Sequence, residues 1–596
     1  MKFSQLAQYF HKIEATSSRL TMTKILAELF NKLSADEIHL TAYLLQGRVK
    51  PLYEKVEFGM AEKMIMRAVA SALQIGKGEL ERKYKQTGDV GETTEYFRKP
   101  ITTLESKDLT ITEVYRELLR MANESGSGSQ DLKIRILSSL IRQLDALSAR
   151  YITRIPLAVL RLGFSDMTVL DAYSWMQTGD KSFREKIQQA YHVRPDLGFI
   201  GQQLKQKGMK GIGKIQPQIF TPILMMRAER LSSAEKIIKT IGSCAVESKY
   251  DGFRLQVHYK KSTGEVRLYT RGLENASLMY PDIIAGIKKD VDACELIIEG
   301  EAIGFDPETG SFLPFQETVQ RKRKYDIAKK ASEIPLKLFA FELLYCDGKN
   351  YVQEQFAKRR QRLTQVIKKH KSDSDNTIIL SPQEITADPK RLELIFDDAI
   401  THGLEGIVAK KLDGTYQPGA RGWNWIKFKR SYSSKIEDTI DCLVMGFDKG
   451  KGKRVGFGIG AFLVGIYDKK QDKFVTMAKI GTGLTDVEWR ELKKKTSPLV
   501  VQKQPKMYVV DKMMDCDVWV EPSIVVEIRA DEITRSPVHT AGRILKPSKS
   551  GDALMVDVAG YALRFPRLER FRADKTPAEA TSLPEVEKLY QAVNKK

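Results

Sequence analysis

The apolar residues change their spacing once along this chain, and no other feature restricts the possible folds as strongly. Over roughly the first 215 residues they recur at three and four positions, as on one face of a helix. In DLKIRILSSLIRQLDALSARY the stripe is Ile134, Leu137, Ile141 and Leu144, with Lys133, Arg135 and Arg142 off it. The expectation is a helical region with a polar, basic exterior. ESGSGS (124–129) reads as a loop, and KQKGMKGIGKIQP (205–217) as a connection or a backbone contact for phosphate. From about residue 240, FRLQVHYK, EVRLYTR, CELIIEGEAIGF, LKLFAFELLY and GIVAKKL are short β-rich runs mixing apolar and charged positions in alternation. YVQEQFAKRRQRLTQVIKKH and DPKRLELIFDDAITHG are helix candidates between them, giving an α+β domain that ends near Arg430. Beyond it, DCLVMGFDKG, GFGIGAFLVGIYD, KFVTMAKIG, MYVVDKM, CDVWVEP and SIVVEIRAD are strands separated by glycine-containing turns, as in a small β-barrel. PAEATSLPEVEKLYQAVNKK reads as a short terminal helix and tail.

A chain of 596 residues has room for about three or four domains at roughly 100–200 residues each. With 42% hydrophobic and 29% charged residues it is not a mostly disordered chain. Lys and Arg number 97 against 76 Asp and Glu, a net charge of +21, which favours a polyanionic partner such as nucleic acid or an anionic membrane surface. No stretch reaches the roughly 18 apolar residues of a spanning helix, and MKFSQLAQYFHK breaks its apolar run too early for a signal peptide. An intracellular soluble protein without a membrane partner is expected, cytoplasmic or nucleoid-associated. The five cysteines are widely separated with no CxxC pair, so they read as reduced structural residues.

The sharpest local segment is ESKYDGFRLQVH (247–258), where Lys249 stands between probable strands. A lysine amine held in a pocket and deprotonated there is a nucleophile, and its attack on a nucleotide α-phosphate gives a phosphoramidate. A solvated hairpin has the same composition. Glu299, Glu301, Glu342 and Glu405 fall in or beside strong β segments and, if they converge, suit Mg²⁺ with substrate phosphates; solvent-facing strand positions give the same pattern. In WNWIKFKR, Lys427 and Lys429 share one side of an extended strand and point two cations at one phosphate. RKRK (321–324) and AKRRQRLTQVIKKHK (357–371) are basic runs suited to a soluble face or to duplex contact. Phe339 and Phe341 alternate on one strand face, as core residues or as an adenine stack.

Taken together these segments resemble the ATP-dependent DNA ligases, in particular the three-domain type of archaeal and eukaryotic replication enzymes, over nearly the whole chain. The resemblance implies three domains: an all-α DNA-binding domain (1–215), an α+β nucleotidyltransferase (adenylation) domain (216–430) and an all-β OB-fold domain with a C-terminal helix (431–596). ESKYDGFRLQVH is similar to the adenylation motif, making Lys249 the carrier of AMP with Glu247 and Arg254 at the nucleotide. TRGLEN places Arg271 at the next motif, although Gly272 and Leu273 stand where many relatives are more polar. EGEAIGF, LFAFELLY and EGIVAK place Glu301, Phe341, Glu342 and Glu405 around nucleotide and metal, and WIKFK sets Lys427 and Lys429 against the α-phosphate. PFQETVQRKRKYD resembles a segment of the three-domain type, implying Arg321 and Arg323 as DNA contacts. RFPRLERFRADK resembles the final motif, with Arg572, Asp574 and Lys575 near the pyrophosphate. YITRIPLAVLRLGFSD resembles the helical DNA-binding domain, with Arg154 and Arg161 as backbone contacts. QPQIFTPILMM is a loose match to the usual lead-in.

The implied chemistry seals nicks in duplex DNA by three steps using ATP and Mg²⁺, with Mn²⁺ as a substitute. Lys249 takes AMP, AMP passes to the 5′-phosphate, and the 3′-hydroxyl displaces it; the barrel is expected to change position between steps. A monomer acting on nicked double-stranded DNA is expected, with a sliding clamp implied by the resemblance alone. Spacing leaves the donor open among ATP, dATP, GTP, ADP and NAD. A guanylyltransferase or RNA ligase, opposed by the large N-terminal region, and a DNA-binding scaffold with a dead nucleotidyltransferase fold are the other readings.

Overall fold

The computed structural model describes residues 1–99, 108–306, 312–313, 315–323, 325–368, 376–401, 404–429, 439–450, 457–481, 484–547, 554–564 and 566–594. Lys324 and residues 369–371 of the two basic runs, and the expected domain boundary at 430–431, lie outside these. The chain forms two compact units, Met1–Lys429 and Arg430–Lys596.

Twelve α-helices lie between Phe3 and Ile212 among the described residues, around one apolar core. Ser, Thr and Asp caps start many of them. At Ile111–Asn123, Thr110 accepts from the Glu113 N–H while the Glu113 carboxylate accepts from the Thr110 N–H. The stripe Ile134, Leu137, Ile141 and Leu144 is buried as its period requires. Two expectations are corrected here. Lys133 is 7% exposed, its stem packed inward and its ammonium donating to the Phe58 carbonyl at 2.7 Å. Residues 205–212 are helical, because the helix Leu197–Ile212 continues across a kink at Gly208, whose φ of +56° a side chain would resist.

Eleven strands follow in the same unit among the described residues: β1 (Arg227–Arg230), β2 (Cys244–Lys249), β3 (Phe253–Lys260), β4 (Glu265–Thr270), β5 (Glu295–Gly304), β6 (Leu336–Cys346), β7 (Lys349–Asn350), β8 (Ile378–Leu380), β9 (Gln383–Thr386), β10 (Gly406–Lys411) and β11 (Arg421–Lys429). They build two sheets, one ordered β1-β11-β10-β2-β9 and one ordered β4-β3-β5-β6-β7 with β8 alongside β6. The helix Pro389–Thr401 packs Leu392, Phe396 and Ala399 on the first sheet, and Pro281–Asp290 covers the second with Ile283 and Ile287.

The second unit is a curled sheet, a half-barrel of OB-like form. Its central strand Ile440–Lys449 pairs with Ile459–Asp468 on one side. On the other it meets Val525–Arg529 along its first half and Val518–Val520 along its second. Bulges at Val444/Gly446 and Val464/Gly465 supply the curl. Val586, on the terminal helix Leu583–Asn594, is buried in its core.

Candidate functional site

The two sheets of the first unit face a cleft of about 310 Å³, lined on one side by β2, β10 and β11 and on the other by β3, β5 and β6. Register brings the lysines together. Gly406 is the Cα partner of Lys249 on β2 and of Lys429 on β11, so both lysines stand at one level across three strands. Gly406 has a φ of +143°, and a Cβ there would collide with the Phe428 carbonyl, so the close strand approach requires glycine. Glu405, just before it, pairs with both Lys249 and Lys429. One level along, Val408 is flanked by Glu247 and Lys427. Partial burial lowers the Lys427 pKa, helped by the charges of Arg230, Lys249, Arg421 and Arg271.

The opposite wall carries Arg254, Glu301 and Phe341. Arg254 and Glu301 are register partners on β3 and β5. Arg254 donates to Glu299 at 2.6 Å and to the Met226 carbonyl at 2.7 Å. Burial opposes its charge, but Glu299 outweighs that and raises its pKa. Loss of solvent raises the Glu301 pKa to about 7 despite the pull of Lys249 and Arg254. Phe341 is the extra residue of a β-bulge: Glu299 faces Glu342 and Gly300 faces Ala340, leaving Phe341 without a partner on β5. A bulge re-aims a side chain, and Phe341 lines the cleft, whereas Phe339 is stacked on Tyr250 with centroids 4.3 Å apart. At the inner end Lys410 donates to Glu247 and to the Phe341 carbonyl, both at 2.9 Å. Burial raises the Glu247 pKa against the charges of Lys410 and Arg360.

Several expected ligands are used elsewhere. Glu342 is 1% exposed and receives Arg359 at 2.7 and 2.8 Å, so it is a buried structural partner and not a metal ligand. Glu299, at 0% exposure, accepts from Arg254, Gln256 and Tyr416. Arg154 is held inside by Asp89 and Glu14, each at 2.9 Å, and Arg321 by Asp282 at 2.9 Å; neither can meet DNA at the surface. A long guanidinium with acidic partners inside the fold stays there, since exposing it would leave buried carboxylates unpaired. Arg161 is half-exposed, in left-handed conformation with φ +61°, and Arg323 is exposed. In the second unit Arg572 donates to Asp441 at 3.1 Å and to Asp574, and Lys575 donates to Asp441 at 2.6 Å.

Among the described residues no group of three or more His, Cys, Asp or Glu could hold a metal ion. Glu301 and Glu405 remain beside the cleft, a set that suits Mg²⁺ only together with substrate phosphate oxygens, as is usual for that ion. Lining residues not singled out from sequence include Arg227, Val408, Lys410, Arg421 and Trp425. Val408 and Lys410 were accessible from the two-residue period of GIVAKK; Arg227 lies in the loose lead-in. In all, eight cations and two carboxylates line the cleft, an environment for a polyanionic ligand with an apolar portion against Phe341, Val408 and Trp425.

Family comparison agrees in each region. Residues 2–174 match the DNA ligase N terminus, 225–429 the ATP dependent DNA ligase domain, and 456–575 the ATP dependent DNA ligase C terminal region. A probable DNA ligase of Dictyoglomus thermophilum is 46% identical over 592 residues, covering 99% of this chain and 98% of that protein. The chain belongs to the ATP-dependent DNA ligases. The ligase is also similar to DNA ligase 2 of Thermofilum pendens, 38% identical across 100% of this chain and 98% of that one. A DNA ligase of Nitrosopumilus maritimus is 37% identical across 100% and 99%. Among solved structures, Pmar-Lig_PreS3 shares the fold, with a TM-score of 0.53 and 18% identity over 95% of this ligase and 99% of that chain. No helix among the described residues is long and apolar enough to cross a membrane.

Proposed function

We propose that this ligase seals 5′-phosphate/3′-hydroxyl nicks in duplex DNA through a lysyl-AMP and an adenylated DNA strand, with Lys249 as nucleophile. The observation that carries the reading is the placement of Lys249, Glu405, Lys427 and Lys429 at the open ends of β2, β10 and β11 beside the Phe341 pocket. The Lys249 amine attacks the α-phosphate; the Nζ–P bond forms as the bond to the bridging oxygen breaks, and pyrophosphate leaves. Glu405, hydrogen-bonded to Nζ, is placed to accept its proton. Lys427 and Lys429 face the charge that develops on the phosphate oxygens, the usual means by which a phosphoryl-type transfer is stabilised. The DNA 5′-phosphate then displaces Lys249 from AMP, and the 3′-hydroxyl displaces AMP from DNA. Magnesium, or manganese in its place, would be held by Glu301 and Glu405 with substrate phosphates and would neutralise their charge.

In this proposal residues 1–215 bind DNA, 216–430 form the nucleotidyltransferase domain and 431–596 the OB-fold domain. Glu247, Arg254, Arg271 and Phe341 contact the nucleotide, Arg572 and Lys575 serve the pyrophosphate, and Arg161 and Arg323 are surface DNA contacts. The enzyme acts inside the cell as a monomer, with a sliding clamp as accessory partner and a role in replication or repair. Intact-protein mass after incubation with Mg²⁺ and, separately, ATP, GTP, ADP or NAD tests it. The expected result is an added AMP on Lys249 that disappears as nicked duplex is sealed, and that Lys249→Ala never acquires. Nick sealing by Lys249→Ala at the unchanged rate would refute the covalent route.

A further inference from the structure

Arg254 reaches the cleft out of a closed circuit of hydrogen bonds. One Nη of its guanidinium donates to the Met226 carbonyl at 2.7 Å, and the other donates to the Glu299 carboxylate at 2.6 Å. Both acceptors are held by a single hydroxyl. The Met226 N–H donates to the Tyr416 hydroxyl at 2.8 Å, and that hydroxyl donates to the second oxygen of Glu299 at 2.9 Å. The circuit thus runs from Arg254 to Met226, Tyr416, Glu299 and back. It joins β3 and β5 to the segment before β1 and to the turn before β11.

A tyrosine hydroxyl has one proton to give and lone pairs to receive with, and here it uses both. Phenylalanine would fill the same space against Trp425, whose ring lies edge-on with centroids 5.8 Å apart, and could do neither. Met226, Tyr416 and Glu299 are buried, so solvent is not at hand to replace a lost partner. Hydrogen bonds in series at such a place reinforce one another. Gln256 braces the circuit from one side: it donates to the Tyr416-bound oxygen of Glu299 and to the Ile223 carbonyl, both at 3.0 Å, and accepts from the Ile223 N–H at 2.7 Å.

A guanidinium with one acceptor can swing about it, whereas two acceptors on different nitrogens fix its plane. Arg254 keeps 19% of its side chain exposed, at the cleft, beside the Phe341 and Trp425 rings at 5.5 and 5.2 Å. The circuit therefore sets the direction in which Arg254 meets a ligand and leaves little side-chain freedom to be lost on binding.

We propose that Tyr416 is a positioning residue for Arg254, its hydroxyl locking the two acceptors that aim the guanidinium at the nucleotide. The proposal rests on the reading of the cleft as a nucleotide site, and the test separates the two. Affinity for α,β-methylene-ATP, whose α–β bridge does not break, is measured by calorimetric titration with Mg²⁺ for wild type, Tyr416→Phe, Arg254→Lys and the double variant. Tyr416→Phe is expected to bind about tenfold more weakly, the scale of one lost hydrogen bond. In the Arg254→Lys background the same change should cost less than about twofold, because lysine has no fork to be aligned. Equal losses in the two backgrounds mean that the hydroxyl acts on the fold and not through Arg254, and overturn the proposal; so does unchanged affinity in Tyr416→Phe. Should Tyr416→Phe not fold, Gln256→Met carries the test, since it takes a donor from Glu299 and leaves the circuit closed. Affinity within about twofold of wild type is then expected, and a tenfold loss counts against the proposal. If wild type does not bind the analogue, the nucleotide-site reading itself fails. If the two changes couple as expected but wild type forms no lysyl adduct with ATP, the covalent route fails and the role of Tyr416 stands.

Discussion

Glu301 lies between Lys249 and Arg254 in electrostatic reach, yet loss of solvent keeps its carboxyl protonated up to about pH 7. An unfolded glutamate ionises near pH 4.3. Between those values the folded state binds more protons than the unfolded one, so this residue's contribution to stability is greatest below the unfolded pKa and declines as pH rises through about 7. If ionised Glu301 is the form that works in the cleft, adduct formation gains an ascending limb near pH 7. Glu301→Gln is expected to lose that limb from the pH–rate profile and to flatten the matching fall in denaturant midpoint. The residues most legible from sequence were those whose neighbours form a motif: Lys249, Arg254, Glu301, Phe341, Lys427 and Lys429 all line the cleft. Glu342 and Arg154 were misread for one physical reason. A charged residue has the same letter whether its partner is a ligand or a buried opposite charge, and here the partners are Arg359, 17 residues away, and Asp89, 65 residues away.

At the scale of elements, alternation located β3 to β6, β10 and β11, because each strand has one face against an apolar core and period two records that. Alternation cannot register an inserted residue, so the bulge that turns Phe341 into the cleft was invisible. Helical period likewise missed the continuation past Gly208, since glycine-rich sequence reads as a break. The helix Ala146–Arg154 supplies a test at this scale. Arg154 joins it to Asp89 and Glu14 with 1% of its side chain exposed. Arg154→Met leaves those carboxylates without their partner and is expected to cost about 3–5 kcal/mol in denaturant unfolding. At a temperature where the variant remains folded, the salt slope for nicked duplex should match wild type, as it would not if Arg154 held a phosphate.

For the whole molecule, a net charge of +21 makes association with DNA an exchange of phosphate counterions for side chains. If six to ten phosphates are contacted, nicked-duplex affinity should fall by about 10³–10⁵ between 50 and 200 mM salt, checked by fluorescence titration. Division into a helical, an α+β and a β-rich stretch was readable because each keeps its own hydrophobic period over more than a hundred residues. The cleft was less so, because it depends on two sheets meeting face to face, which local spacing does not encode.

Glu405, gripped by Lys249 and Lys429, sets an anion of the protein's own beside the cleft. On the proposed reaction, an α-phosphate arriving at Lys429 would replace one negative group with another, so that lysine would pass from carboxylate to phosphate without standing bare between. Nucleotide entry would then be an internal ion exchange that draws little on dissolved salt. The KM for ATP in adduct formation should vary far less with ionic strength than the affinity for DNA, letting one protein load its nucleotide under conditions in which it has already let go of the duplex.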